Sequence, residues 1–182
     1  EYQKAAVPMP WGNPSPYILM TCHRRESFGA KMKSMFGSIR AFALNHPKLN
    51  IWYPVHPNPN VKVPAEQILG SCENIYLTGP LDYVSFLHAM KGCHILLSDS
   101  GGVQEEAATL GKPCLVMRDI TERPEGVAAG VCKLVGTDPI RIRESLEELV
   151  SCPALYNAMT HGKKIYGDGK AAERIVEVLA AL

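Results

Sequence analysis

Six short apolar runs recur along the chain, at residues 17–21, 51–55, 75–77, 94–99, 113–117 and 131–135. Most are apolar at every position rather than at alternate ones, the pattern of strands covered on both faces. Between them, apolar residues fall three or four apart and predict helices over 31–43, 63–69, 83–90 and 103–110, with a short one at 125–129. Three more follow the sixth strand, at 140–150, 154–160 and 171–182. Strands alternating with helices predict an α/β fold, a doubly wound parallel six-stranded sheet of Rossmann-like type. Two βαβαβ halves imply the strand order 3-2-1-4-5-6, with a crevice between strands one and four at their carboxyl ends.

The two most unusual loops then face each other across that crevice. "CHRRESFG" follows strand one, and "SDSGGVQEE" follows strand four. In the second, Ser100, Gly101 and Gly102 lead from a strand into a helix, whose N-terminus offers unpaired N–H groups and partial positive charge to an anion. Glycine there lets a ligand approach the backbone closely. Glu106, one to two turns further on, is in reach of a ribose whose phosphates rest on that N-terminus. Asp99 and Glu105 would repel an anion if they faced it, so they are expected to point elsewhere. A plainer reading, a glycine turn whose serine caps the helix, stands even with the cradle.

"HRRES" places an imidazole and two guanidiniums together, groups that suit phosphate oxygens. The plainer alternative is a solvated turn with Ser27 capping the next helix. His56, bracketed by prolines in "YPVHPNP", reads first as structural. "MRDITERPEG" after strand five, with Arg118, Arg123 and Glu125, reads either as a solvated, salt-bridged loop or as a substrate-gripping one. Phe86 is either core or a flat face for a base ring. There is no G-x-G-x-x-G fingerprint, and Lys112 lies beyond the helix where a P-loop lysine would precede it.

Composition narrows the classes. A length of 182 residues suits one well-buried domain, and a net charge of +1 gives no sign of a nucleic-acid or acidic-membrane partner. No apolar run approaches the roughly 20 residues of a membrane span, and the first residues lack a signal-peptide layout. The six cysteines, at 22, 72, 93, 114, 132 and 152, include no C-x-x-C pair and read as reduced, buried thiols of a cytoplasmic protein. Cys22 beside His23 reads as packing rather than as a nucleophile. Residues 1–16, rich in proline, read as a linker into a domain spanning 17–182. The amphipathic helix at 171–182 would close this domain's core or pack on something outside it.

Taken together, "TCHRRESFG", "YPVHPNPNV", "SDSGGVQEEAATLGKP", "MRDITERPEG", "KLVGTD" and "YGDGKAAERI" resemble, in order, the C-terminal half of the UDP-N-acetylglucosamine 2-epimerases of non-hydrolysing type. The resemblance implies the second domain of a glycosyltransferase-B-type architecture, with UDP in the cleft between two Rossmann-like domains. It puts Phe86 against uracil, Glu106 on the ribose hydroxyls, and Ser100, Gly101 and Gly102 under the diphosphate. His23, as a catalytic residue, and Arg123 fall near the phosphates and sugar, while Arg24 and His56 match a second, activating UDP-sugar site. It further implies no metal and no cofactor, and a role in cell-envelope polysaccharide synthesis.

The reaction so implied interconverts UDP-N-acetylglucosamine and UDP-N-acetylmannosamine by elimination and re-addition of UDP. The family's catalytic carboxylates belong to an N-terminal domain that this chain does not contain. The expected partners are therefore a UDP-sugar, that domain, and a second copy in a full-length homodimer. This reading makes the chain a fragment that binds UDP but does not epimerise. A stand-alone UDP-sugar-binding regulatory module, a hydrolysing 2-epimerase and a related glycosyltransferase remain as alternatives. Departures from the family pattern are Ser27 in "HRRES", Ala108 in "EEAA", Ile120, and "KIYGDG".

Overall fold

Period-two alternation along the strands decides how the layers form. In β1 (Tyr17–Thr21), Ile18 and Met20 enter one apolar cluster, while Tyr17 and Leu19 enter another on the opposite face. The computed structural model describes residues 8–161 and 165–181. The other strands are β2 (Asn50–Pro54), β3 (Ile75–Thr78), β4 (Ile95–Ser98), β5 (Cys114–Val116) and β6 (Cys132–Leu134). They form a single sheet in the order β3-β2-β1-β4-β5-β6, and every pairing is parallel. The predicted order is the observed one.

Four helices cover the first face: α1 (Ala30–Asn45), α2 (Pro59–Leu69), α6 (Pro139–Ser151) and α7 (Pro153–Met159). On the second lie α3 (Tyr83–Gly92), α4 (Gly101–Leu110) and the short α5 (Pro124–Ala128). Ile18, Met20, Ile51 and Leu97 on the first face and Tyr17, Leu19 and Leu96 on the second are all buried, so the central strands are closed from both sides. Trp11, in the segment read as a linker, packs edge-on against Tyr17 and Trp52 and lies 5.2 Å from Tyr76. Residues 1–7 of that segment lie outside the described residues.

Several boundaries differ from expectation for local reasons. α2 begins at Pro59 rather than near 63, because Asn58 caps it by accepting from Asn60 N and a proline at the first helical position forfeits nothing. Ser27 does not cap α1. It closes a one-turn 3-10 helix (Arg25–Ser27) and is buried, and Gly29 (φ +82°) occupies the capping position instead. The positive φ turns the chain into α1, a conformation glycine adopts without strain.

α8 (Ala171–Ala180) is exposed along its whole length, with Ile175, Val176, Val178 and Leu179 each 59–65% exposed. It closes no core here, and the last residue of the predicted helix, Leu182, lies outside the described residues. Among the described residues, no helix is long and apolar enough to cross a membrane.

Candidate functional site

After β3 the chain crosses back to place β4 beside β1, so these neighbours lead away in opposite directions and leave a crevice at their carboxyl ends. The floor is tied down first. Thr21 pairs with Ser98 in register, and their hydroxyls hydrogen-bond at 2.6 Å. Ser100 N–H donates to Ser98 Oγ at 3.0 Å. Asp99 is fully buried, and its Oδ2 accepts from the backbone N–H groups of both His23 and Arg24, each at 2.7 Å. One carboxylate thus holds the loop after β1 against the loop after β4. It points into the junction rather than at an incoming anion, as the sequence suggests.

Ser100 occupies the N-cap position of α4, yet its side chain makes no capping bond. The starts of α2, α3 and α6 are capped by Asn58, Asp82 and Asp138. The first turn of α4 is therefore left without a side-chain cap. A Cβ at Gly102 would meet no atom within 4 Å, and one at Gly101 would meet only the Arg24 guanidinium, at 3.9 Å. Arg24 Nε also donates to Asp99 O at 3.2 Å. An open helix N-terminus with a guanidinium beside it is suited to an anion.

His23 and Phe86 line a small cavity of about 140 Å³ together with His56, whose ring centroid lies 5.6 Å from that of His23. Arg24 and His56, expected at a second sugar-nucleotide site, are therefore immediate neighbours of the residues expected at the first. Glu106 lies elsewhere, in a larger cavity of about 470 Å³ between α3 and α4 that also includes Leu87, Lys91 and Tyr166. Its carboxylate makes no hydrogen bond or ion pair among the described residues. Phe86 and Glu106 thus open onto two different pockets. Arg123 is engaged by Glu105, which accounts for the direction Glu105 takes.

Three residues brace the site: Gln104 and Tyr166, whose roles have no counterpart in the sequence reading, and Arg118, in the loop read as salt-bridged. Gln104, fully buried, donates to Ser100 O at 3.1 Å and accepts from Thr121 Oγ1 at 2.7 Å, joining α4 to the loop after β5. Its place one turn beyond Ser100 is the signal that could have marked it. Arg118 is 8% exposed and spans two loops, bonding Glu26 at 3.1 Å and forking onto Glu122. That fork holds the Glu122 carboxyl down at about 2. Tyr166, from "YGDG", accepts from Gly126 N–H at 2.9 Å and fixes the "TERPEG" loop from outside. Cys22 is buried, and burial first, then Asp99, pushes its thiol up, so it is not a ready nucleophile. No group of three or more potential metal ligands occurs among the described residues.

Comparison with known proteins gives a consistent answer. Residues 2–180 match the family model described as UDP-N-acetylglucosamine 2-epimerase. The UDP-N-acetylglucosamine 2-epimerase of Escherichia coli K12 is 48% identical over 162 residues, covering 89% of this chain and 43% of that protein. A probable enzyme of the same description from Ralstonia nicotianae is 47% identical over 164 residues, covering 90% of this chain and 44% of its own. The crystal structure of UDP-GlcNAc 2-epimerase from Neisseria meningitidis bound to UDP-GlcNAc superposes with a TM-score of 0.89 at 46% identity, over 92% of this chain and 45% of that one. The chain spans less than half the length of each of these relatives.

Proposed function

This chain belongs to the UDP-N-acetylglucosamine 2-epimerase family, and on that premise we propose that it is the UDP-binding, C-terminal half of an enzyme that epimerises a UDP-sugar at C2. The observation that carries the reading is the side-chain-uncapped start of α4 at the β1/β4 crevice, with Arg24 beside it. The diphosphate rests on Ser100, Gly101 and Gly102, and Glu106 accepts hydrogen bonds from the ribose hydroxyls. Phe86 offers its ring to the base, and His23 and Arg123 lie by the phosphates and sugar, Arg123 leaving Glu105 to do so. Arg24 and His56 border the same crevice and serve a second UDP-sugar. A relative solved with UDP-GlcNAc bound supports a sugar nucleotide as ligand.

In the reaction a base removes the C2 proton, the C1–O bond to UDP breaks, and a glycal forms. Reprotonation on the other face and re-addition of UDP complete the inversion. N–H groups fixed in place before reaction stabilise the departing diphosphate without having to reorganise. The acid and base at C2 come from an N-terminal domain in a two-domain, glycosyltransferase-B-type enzyme. The exposed apolar face of α8 supports a second domain packing there.

Titration calorimetry of UDP into this chain tests the proposal. Binding in the micromolar-to-millimolar range is expected, about tenfold weaker in Glu106→Ala, with no epimerase turnover by the chain alone. Absence of UDP binding overturns the nucleotide site, binding indifferent to the substitution overturns the ribose contact, and turnover overturns the division of labour.

A further inference from the structure

A carboxylate with no exposure needs its lone pairs met by donors, because nothing else replaces the lost water. Asp99 is fully buried and satisfies this on one side only. Oδ2 holds the two backbone N–H groups of the loop after β1, whereas Oδ1 has no hydrogen-bond partner among the described residues. The neighbouring hydroxyls of Thr21 and Ser98 bond each other, Ser98 also accepts from Ser100 N–H, and neither pairs with Oδ1. His23 Nδ1 lies 3.9 Å from Oδ1, beyond hydrogen-bond length but within a small shift of it. Polar contacts of this kind in unliganded sites commonly tighten when a ligand closes the cleft. The Cys22 thiol also faces the carboxylate, but a thiol is a weak donor beside an imidazole N–H.

We propose that Asp99 is a positioning residue that keeps the proton of neutral His23 on Nδ1 and leaves Nε2 with its lone pair available to the crevice. An ionised carboxylate only accepts, so the ring nitrogen facing it has to be the one that carries hydrogen. The other groups around the ring do not offer Nδ1 an alternative acceptor. His56 stands 5.6 Å away, ring to ring, and Arg24 extends its guanidinium to the Asp99 carbonyl and Gly101. Asp99 thus serves twice through one side chain, Oδ2 fixing where the loop sits and Oδ1 fixing which nitrogen works. A hydroxyl of a bound ligand then donates a hydrogen bond to Nε2 and keeps its proton, the acid and base at C2 remaining those assigned to the N-terminal domain. The role given to Nε2 rests on the reading of this crevice as a sugar-nucleotide site; the tautomer does not.

The test is a long-range proton–nitrogen NMR spectrum of the ligand-free chain with nitrogen-labelled histidine. It is recorded about two pH units above the ordinary imidazole value of about 6.5, so that neutral rings dominate. His23 is assigned by the signal lost in His23→Gln. Nδ1 is expected in the protonated range and Nε2 in the bare range, the reverse of the form free histidine favours in water. Asp99→Asn keeps an oxygen for the two backbone N–H groups but turns an amide N–H₂ toward Nδ1, so the proton is expected to move to Nε2. A wild-type His23 protonated on Nε2 overturns the proposal without recourse to any variant. An Asp99→Asn chain with dispersed amide signals and an unmoved Nδ1 proton also overturns it. Loss of UDP binding overturns the nucleotide site instead and leaves this readout standing.

Discussion

The two edges of the sheet use their polar residues in opposite ways. At the amino edge, beside the starts of β1, β2 and β4, most polar groups are satisfied by neighbours, the buried Trp11 indole N–H excepted. Asn74 Nδ2 reaches three carbonyls, those of Ala43, His46 and Leu49, at 3.0–3.1 Å. His46 stacks on Phe42 and bonds Glu147 at 2.7 Å, while His94 stacks on Tyr156 with ring centroids 4.1 Å apart. At the carboxyl edge, α4 starts without a side-chain cap, Glu106 has no partner among the described residues, and one oxygen of the buried Asp99 is unmet. The amino edge also has a cavity of about 480 Å³, mostly apolar, next to His46, Leu49 and His94. Size does not separate the two edges; unmatched carboxylates do, and they mark where a ligand would complete the bonding.

If that contrast is sound, substitutions at the amino edge change stability alone, and those at the carboxyl edge change binding alone. The largest effect is expected for Asn74→Leu, which strips the amide donor from three carbonyls, two of which keep a backbone N–H, and costs about 2 kcal/mol. Urea unfolding measures it, with UDP affinity of the folded fraction unchanged. Next comes Gly102→Ala. The added methyl meets nothing in the unliganded chain, and alanine is the better helix former, so stability holds or rises slightly. UDP affinity is expected to fall by about tenfold, because the methyl occupies the approach to the α4 N–H groups. A Gly102→Ala chain that binds UDP normally breaks the contrast.

The smallest effect concerns pH. Burial first, and then Lys112, hold the His94 imidazole below its ordinary value. The unfolded chain therefore binds more protons than the folded one over that window. The His94 contribution is present in full above about pH 6.5 and is lost as pH falls from there through the lowered folded value. His94→Phe, which can keep the stack on Tyr156, is expected to show a smaller drop in urea midpoint between neutral and mildly acidic pH than the parent chain.

Much of this was legible before any coordinates. Strand order followed from six apolar runs alternating with helices, since short crossovers leave few ways to wind a parallel sheet. The crevice loops followed from that order, because their position is a property of the topology. The start of α2 was hidden by "HPNPNVKVP", where prolines that read as loop serve as a helix start. Ser27 misled because the cap position belonged to a glycine two residues on. Arg118 sits in the loop read as salt-bridged, but its bond to Glu26, 92 residues earlier, could not have been assigned from spacing.

The sequence by itself determined which residues are apolar neighbours within each strand and helix, and so the layers, the strand order and the family. Such information is local: a side chain's face follows from a period of two or 3.6 residues, whatever lies elsewhere in the chain. Only the tertiary structure decided that Asp99 holds the His23 loop, that Glu105 takes Arg123, and that the start of α4 is left without a side-chain cap while Asp82 caps that of α3. Those pairings join segments as many as 76 residues apart, and strand register brings their atoms within bonding distance.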